Sequence, residues 1–224
     1  MRRADTGRYT LLKQIGICMS KPAFPNDKSL AVLDAATTVF LTHGFSAATT
    51  DMIQREAGVS KKTMYECFPS KEAMFVAVIE RQCASMASTI HAIQPAQGNI
   101  RKTLEDIGRA YLEIVLAEAG VALFRVVVAE APRFPDAGRR FYLAGPKVVI
   151  AMVSERLSEA SVMGEIDVHA IGIEAAASLF VSMVRTEGQM ECLLHPGSRP
   201  SAEQLDRWVR LAVDAFIGRF APRN

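Results

Sequence analysis

Residues 49–72 read TTDMIQREAGVSKKTMYECFPSKE, and this stretch decides the fold of the chain. Gly58 stands where a left-handed helix C-cap favours glycine, and Pro69 cannot continue a helix. Three residues carry a hydroxyl that can accept a hydrogen bond from a free amide at the start of a helix, namely Thr49, Ser60 and Ser70. The stretch therefore predicts a short helix ending near residue 56, a tight turn, a second helix over residues 61–67, and the cap of a third helix.

The second of these helices has two different sides. Met64 and Phe68 share its inner face, because residues four apart lie on one side of a helix. The outer side carries Lys61, Lys62, Thr63 and Tyr65. A short helix with a cationic, hydroxyl-rich edge after a glycine turn is typical of a helix-turn-helix, whose second helix enters the DNA major groove. A helical hairpin inside an ordinary bundle is the alternative.

The composition is that of a helical protein without a strong overall charge. Half of the 224 residues are hydrophobic and only 7% are aromatic, so Ala, Leu, Val, Ile and Met fill the core. This length corresponds to one or two domains. The net charge of +2 is a weak argument for nucleic acid, but residues 1–27 alone carry +3 while residues 28–76 carry zero. The positive groups of the helix-turn-helix must therefore point one way.

The cysteines and the hydropathy pattern indicate a cytoplasmic protein. No C-x-x-C pair occurs, which favours reduced thiols over a disulfide framework. No run reaches the roughly 18 apolar residues of a membrane span, and we find no signal peptide. We therefore expect no membrane partner. The four cysteines are Cys18, Cys67, Cys83 and Cys192.

The periodicity along the chain predicts an all-α fold with two domains. Residues 1–27 are expected to be a flexible basic arm that adds phosphate attraction or does nothing, and Met19 is an alternative start. Residues 28–86 form a helical domain that contains the motif at 49–68. Residues 96–224 form a larger helical domain. The predicted helices cover residues 28–43, 70–93, 99–119, 120–131, 136–160 with a candidate kink at Gly145–Pro146, 167–194, and a last helix after Ser201.

The last helix has an unusually wide apolar face. Leu205, Trp208, Ala212 and Phe216 form one stripe. A second stripe beside it consists of Val209, Val213, Ile217 and Phe220. This is more apolar surface than packing against one neighbour requires.

Taken together, these residues resemble the TetR family of transcriptional regulators. The resemblance covers residues 29–78 and rests on LDAATTVFLTHGF, TTDMI and AGVSKKTMYECFPSKEAMF. Further on, EAPRFPD at residues 130–136 is similar to a segment in one group of these proteins. The resemblance implies three N-terminal helices for DNA and a ligand-binding and dimerisation domain. It also implies a homodimer joined by the last two long helices as a four-helix bundle.

By motif position, the resemblance also implies a set of DNA-binding residues. Lys62 and Thr63 are expected at the bases or the groove edge, and Tyr65 and Lys71 at phosphates. Gln54 and Cys67 depart from the usual pattern. The whole set is Thr49, Thr50, Ser60, Lys61, Lys62, Thr63, Tyr65 and Lys71.

The effector site is less specified than the DNA site. Seven residues could line an apolar cavity or simply fill the core, namely Tyr111, Phe124, Phe141, Tyr142, Met152, Phe180 and Met183. Arg125 and Glu130 interrupt apolar runs and either meet a ligand or pair at a helix surface. Nothing in the sequence specifies the chemistry of the ligand.

Other chemistry has little support in the sequence. Cys192 and His195 supply two of the three or four ligands that zinc needs, so no metal or cofactor is expected. Cys67 and Cys83 are either redox-active thiols or buried, inert ones. No nucleophile-base pair or phosphate loop occurs, so the chain is not expected to be an enzyme. An all-helical enzyme or carrier using the C-terminal core, and a protein-interaction module, are the alternatives.

The sequence thus predicts a ligand-responsive DNA-binding regulator that acts as a homodimer. Two motif helices are expected to enter successive major grooves of a pseudo-palindromic double-stranded operator. Repression is the expectation from the resemblance and activation stays open. A small molecule of unknown identity is the expected effector.

Overall fold

The computed structural model describes residues 27–96 and 98–222, and the chain within these ranges forms ten helices and no strand. The all-α prediction is therefore confirmed. The arm predicted over residues 1–27, with its alternative start at Met19, lies outside the described residues except for Asp27. The first four helices are α1 (Asp27–Ala47), α2 (Thr50–Ala57), α3 (Lys61–Cys67) and α4 (Lys71–His91).

The helix ends around the motif are those that the sequence predicts. The Thr49 hydroxyl oxygen accepts from the amide of the third residue on, Met52, at 3.2 Å. Ser60 and Ser70 cap α3 and α4 in the same way, at 3.1 Å each. Gly58 adopts φ +64°, the left-handed conformation that ends α2. These local bonds fix the chain in a helix-turn-helix before any tertiary contact is considered.

Three phenylalanines fill the centre of the N-terminal helices. Gly44, at φ +76°, bends the end of α1 so that Phe45 turns back onto the core and is only 2% exposed. Its ring centroid lies 4.7 Å from that of Phe75 and 5.5 Å from that of Phe40. Aromatic pairs at these separations stabilise a core beyond their buried area. The turn before α2 is therefore anchored to both α1 and α4.

The second half of the chain contains six helices. They are α5 (Ile100–Val115), α6 (Glu118–Glu130), α7 (Pro135–Ala144), α8 (Pro146–Val162), α9 (Ile173–Leu194) and α10 (Ala202–Phe220). The core of α5, α8, α9 and α10 includes the rings of Phe180, Phe216 and Phe220, which contact one another edge-on or tilted. This arrangement is the larger helical domain that the sequence predicts.

Three predicted helix bounds were wrong, and one predicted helix is divided. The helix over residues 136–160 is two helices that meet at the predicted kink, because Gly145 leaves the helical region and Pro146 starts α8. The helix predicted from residue 167 begins at Ile173, since Val168 is buried in the core and Gly172 turns the chain at φ +82°. The helix over residues 99–119 ends at Val115, and the next begins at Glu118 instead of residue 120.

The core of the N-terminal helices continues into the second half of the chain. Leu123 and Val127 of α6 and Ala137 of α7 belong to the same buried cluster as Phe40 and Phe75. The boundary predicted near residue 96 lies in the connection between α4 and α5. A movement of α6 or α7 therefore displaces side chains of the core on which the motif helices pack.

Helix α1 also has the length and hydropathy of a membrane span. Val32, Ala36 and Phe40 on it are fully buried against other helices. A buried core helix meets the same test of length and composition, and packing against α2, α4 and α6 explains its apolar residues.

Candidate nucleic-acid interface and effector cavity

Helix α3 rests on the core by one side and leaves its other side exposed. Met64 is fully buried, whereas Lys61, Lys62 and Tyr65 are exposed. The predicted inner and outer sides of this helix are therefore the observed ones. Thr63 is half-buried, and its hydroxyl lies 2.9 Å from that of Ser60.

The two lysines of α3 differ in how closely their ammonium groups are paired with a carboxylate. Lys61 donates to Asp51 of α2 at 3.1 Å, and this hydrogen bond raises the pKa of Lys61. The Lys62 side chain is 87% exposed, and its ammonium lies 3.9 Å from Glu66 one turn further on. An exposed pair at that separation contributes little. Lys62 can therefore leave Glu66 for a stronger anion.

Lys71 has a structural contact that the sequence did not predict. Its ammonium donates to the backbone carbonyl of Ala48 at 2.6 Å and lies 4.4 Å from the ring centroid of Phe45. The side chain thus ties the start of α4 to the turn before α2. Because an ammonium has three donors, a phosphate contact through the others remains a prediction.

The remaining motif residues are divided between capping and exposure. The hydroxyls of Thr49 and Ser60 are engaged as caps, and Thr50 is half-buried at the start of α2. Cys67 is a half-buried free thiol at the end of α3. Glu66 is exposed, so its carboxylate lies on the same open side as Lys62.

A buried carboxylate joins α6 to the turn before the motif. Glu130 is 8% exposed and accepts from the backbone amide of Ser46 at 3.1 Å and from its hydroxyl at 2.6 Å. Arg133 donates to the same Ser46 hydroxyl at 3.0 Å. Of the two alternatives for Glu130, the structure shows a pairing between elements. Arg125, the other polar interruption, donates to the last carbonyls of α9, those of Cys192 and Leu193.

A cavity of about 50 Å³ lies at the junction of α4 to α9. Three predicted lining residues, Tyr111, Phe124 and Phe141, do line it, and the two phenylalanine centroids are 6.0 Å apart. The sixteen lining residues are Cys83, Met86, Ala87, Ile90, Tyr111, Ile114, Val115, Gly120, Leu123, Phe124, Phe141, Gly145, Pro146, Val149, Arg185 and Gln189.

The other four predicted lining residues lie elsewhere. Tyr142 is 50% exposed, because the residue after Phe141 is rotated by about 100° around α7 and leaves the cavity side. Phe180 and Met152 are buried in the core of the last helices. Met183 lines an open groove between α9 and α10. Which side of a helix faces a cavity depends on helix rotation, and the sequence does not give that rotation.

Polar groups on the cavity wall include two residues that the sequence analysis missed. Arg185 and Gln189 reach the wall from α9. The positive charge of Arg185 lies near Tyr111 and opposes the rise in the pKa of Tyr111 that burial causes. One feature of the sequence could have placed Arg185 on the inner side of α9. Arg185 lies four residues after Val181 and three before Gly188, both of which are buried.

Cys83 lies on the cavity wall as a buried thiol. Burial, with a smaller effect of the Glu80 charge, raises its pKa to about 12. A thiol that stays protonated near neutral pH is a poor nucleophile and a poor metal ligand. Within residues 27–96 and 98–222 no cluster of three or more His, Cys, Asp and Glu residues could hold a metal ion.

The comparison with known families decides what kind of protein has this geometry. The C-terminal domain described as that of AefR-like transcriptional repressors matches residues 102–222, and the N-terminal domain of the tetR family of bacterial regulatory proteins matches residues 32–78. The chain belongs to the TetR family. It is a DNA-binding transcriptional regulator, and the alternative of an all-helical enzyme is wrong because this family and its structural neighbours are regulators.

Individual relatives agree with this assignment to different extents. The flavonoid-responsive regulator FrrA is 32% identical in sequence to this chain. Its structure superimposes with a TM-score of 0.74 over 88% of this chain and 98% of that one. The uncharacterized regulator YvkB of Bacillus subtilis is 25% identical over 83% of this chain and 93% of its own length. The transcriptional activator FasR of Mycolicibacterium smegmatis is 31% identical over 84 residues, and the match spans only 38% of each protein.

Proposed function

We propose that this chain is a cytoplasmic, ligand-responsive repressor that binds a pseudo-palindromic operator as a homodimer and leaves it when a small molecule binds. The observation that carries the proposal is the shared use of α4. This helix supplies Cys83, Met86 and Ile90 to the cavity wall. Nearer its N-terminal end, the same helix supplies Phe75 and Ile79 to the core on which the motif helices pack.

On DNA, the exposed side of α3 is the surface that reads the operator. Lys62 and Thr63 stand in the first turn, where the N-terminal residues of a recognition helix contact base edges. Tyr65, which is 40% exposed, and the ammonium of Lys61 contribute phosphate contacts that set the register. Thr49, Thr50, Ser60 and Lys71 complete the surface at the ends of the motif.

The proposed dimer is supported by apolar residues that are exposed on the last two helices. Leu179, Met190 and Leu194 of α9 and Leu211 of α10 are between 43% and 66% exposed. Two copies of such a face, related by a two-fold axis, bury each other in a self-complementary interface. The two α3 helices are then held at one fixed spacing.

Effector binding changes that spacing through the cavity wall. About 50 Å³ is room for a few water molecules, whereas pockets for drug-sized ligands measure roughly 300–1,000 Å³. A ligand of that size must push the wall helices apart, and α4 carries the push to the motif. The operator affinity falls only by the ratio of the ligand affinities for the two arrangements.

The direction of regulation and the first compounds to screen come from the relatives. The repressor-type C-terminal match spans more of the chain than the match to the activator FasR, so repression is the proposed mode. FrrA responds to flavonoids, and two phenylalanines line the cavity here. Flavonoids are therefore the first effectors to test.

The proposal is tested by selecting random duplex DNA with the purified protein at two salt concentrations. An inverted repeat should be enriched, and its affinity should fall as salt rises because phosphate contacts release counterions. The enriched repeat then serves to screen flavonoids for release. A folded, dimeric protein that enriches no sequence contradicts the proposal.

The dimer surface is tested separately with a charge. Leu211→Glu places a carboxylate in the proposed interface and should shift the protein to monomers in analytical ultracentrifugation. Val162→Glu is the matched control, because Val162 is 87% exposed on α8 and away from that face. Dimers of undiminished stability for Leu211→Glu would rule out this interface.

A further inference from the structure

The wall of the cavity between α4 and α9 is apolar apart from a few donors. Met86, Ile90, Leu123, Phe124 and Phe141 surround it with hydrocarbon and aromatic surface. No Asp, Glu or Lys is among the lining residues. Such a wall excludes cationic ligands, since a buried charge needs a partner. It favours a ligand whose body is largely hydrophobic.

One charged group interrupts this wall. Arg185 is half-buried on α9 and lines the cavity. Its neighbour Tyr111 is a buried phenol, and burial raises the pKa of that phenol so that it stays neutral. Every other arginine or lysine on the cavity helices that forms an ion pair does so at the surface, for example Arg109 with Glu113 and Arg140 with Glu80. No ion pair joins Arg185 to a carboxylate of the described residues.

We propose that the effector of this regulator is an apolar molecule with a single oxyanion, such as a carboxylate, which Arg185 binds with the help of the Tyr111 hydroxyl. This inference rests on the proposed ligand-responsive function and names the ligand class of that site. A guanidinium presents parallel N–H donors that match a carboxylate in a bidentate pair. The phenol of Tyr111 and the amide of Gln189 add neutral donors on the same wall.

The position of this anchor also accounts for signalling. Arg185 holds the anionic end at α9, which packs in the buried core of the last helices. The apolar body must then extend towards the opposite wall, where α4 contributes Met86 and Ala87. An anchored anion thus directs the expansion of the cavity at the helix that supports the DNA motif.

The test measures ligand binding without DNA, so it is independent of operator release. Isothermal titration calorimetry on the full-length protein compares 2-naphthoate with 2-naphthamide and decanoate with decanamide, so that each pair shares one apolar body and differs in the head group, an anionic carboxylate or a neutral amide. At least one carboxylate should bind about tenfold or more tightly than its amide, because a hydrogen bond to a charged group is stronger than one to a neutral group. Arg185→Gln should remove this preference, and Arg185→Lys should retain part of it.

The control variant is Arg139→Gln, which changes an exposed arginine of α7 that does not line the cavity and should leave the preference unchanged. Equal binding of acid and amide, binding of neither pair, or a preference that survives Arg185→Gln each overturns the inference. If Arg185→Gln does not fold, the comparison on the wild-type protein and on Arg185→Lys still decides. A carboxylate that binds through Arg185 but does not release the operator would support the ligand class and contradict the proposed function.

Discussion

Tyr65 carries its hydroxyl on the exposed side of α3, 40% open to solvent. If that hydroxyl donates to a phosphate, Tyr65→Phe should weaken operator and non-operator DNA by the same factor, roughly tenfold or more for the loss of a hydrogen bond to a charged group. Fluorescence anisotropy on both duplexes measures this. Tyr142→Phe, on an exposed tyrosine of α7, is the matched control. A loss confined to the operator would instead assign Tyr65 to base reading.

Cys83 makes the free energy of unfolding depend on pH in the alkaline range. Burial raises its pKa from 9.0 to about 12 in the folded state. Below pH 9 the thiol is protonated in both states and contributes no pH dependence. Above pH 9 only the unfolded state loses the proton, so the free energy of unfolding falls by up to about 1.4 kcal/mol per pH unit.

This dependence is isolated by comparison with Cys83→Ala. Urea unfolding of both proteins between pH 8 and pH 10.5 should show the wild type losing stability faster above pH 9, because the variant lacks the buried thiol. Other titrating groups act equally in both proteins. Parallel pH profiles would show that the thiol is not held in its protonated form.

Single residues of the motif were predictable where their roles are local. The caps by Thr49 and Ser60 and the left-handed Gly58 depend on neighbours within four positions, and all three were predicted correctly. The contact of Lys71 with the Ala48 carbonyl joins groups 23 positions apart. No sequence spacing reveals such a contact, so the sequence could suggest only a phosphate partner for Lys71.

At the level of helices, Glu130 joins α6 to the turn before α2. Glu130→Ala leaves the Ser46 amide without its acceptor in a partly buried place. We expect a loss of about 1–3 kcal/mol in the free energy of unfolding, measured by chemical denaturation. Glu118→Ala on the same helix is the control, since it removes only a surface pair with Arg199 that is worth less than about 1 kcal/mol. Equal effects of the two changes would contradict this role.

The approach of α9 to α10 depends on a glycine. A Cβ at Gly188 would lie 2.7 Å from a methyl of Leu116 and 2.8 Å from the ring of Trp208. Gly188→Ala should therefore cost about 1–3 kcal/mol through overpacking. Gly218→Ala, where no atom lies within 4 Å of a Cβ, should instead be neutral or stabilise α10 by up to about 1 kcal/mol. Thermal unfolding compares them, and a harmless Gly188→Ala would show that the helices can separate there.

The sequence predicted the existence of the helices better than their ends and rotations. Apolar periodicity gave the last helix, which Ser201 caps. The start of α9 at Ile173 was missed because the segment before it is held by the burial of Val168, a tertiary contact. The rotation of α9 likewise brought Arg185 instead of Met183 to the cavity. These errors arise where packing between distant segments, and not local propensity, fixes the backbone.

At the scale of the whole molecule, the two halves of the chain share more than a connection. Leu123 and Val127 of α6 pack in the core of the motif helices, while Cys83 and Met86 of α4 line the cavity. Each half of the chain therefore contributes side chains to the buried core or the cavity of the other half. This exchange of helices makes a coupled, two-state response to a ligand physically possible, because a packed core repacks between discrete arrangements.

The exposed edge of α3 is the surface proposed to read DNA. The most direct measurement is the affinity of the selected operator for the wild type, Lys62→Ala and the control Lys102→Ala, a lysine of α5 paired with Asp106, at two salt concentrations. Lys62→Ala should bind the operator at least roughly tenfold more weakly, because one such contact contributes about 1–3 kcal/mol to binding. Lys102→Ala should bind the operator as the wild type does. Unchanged affinity and salt dependence for Lys62→Ala would contradict the assignment of α3 as the recognition helix.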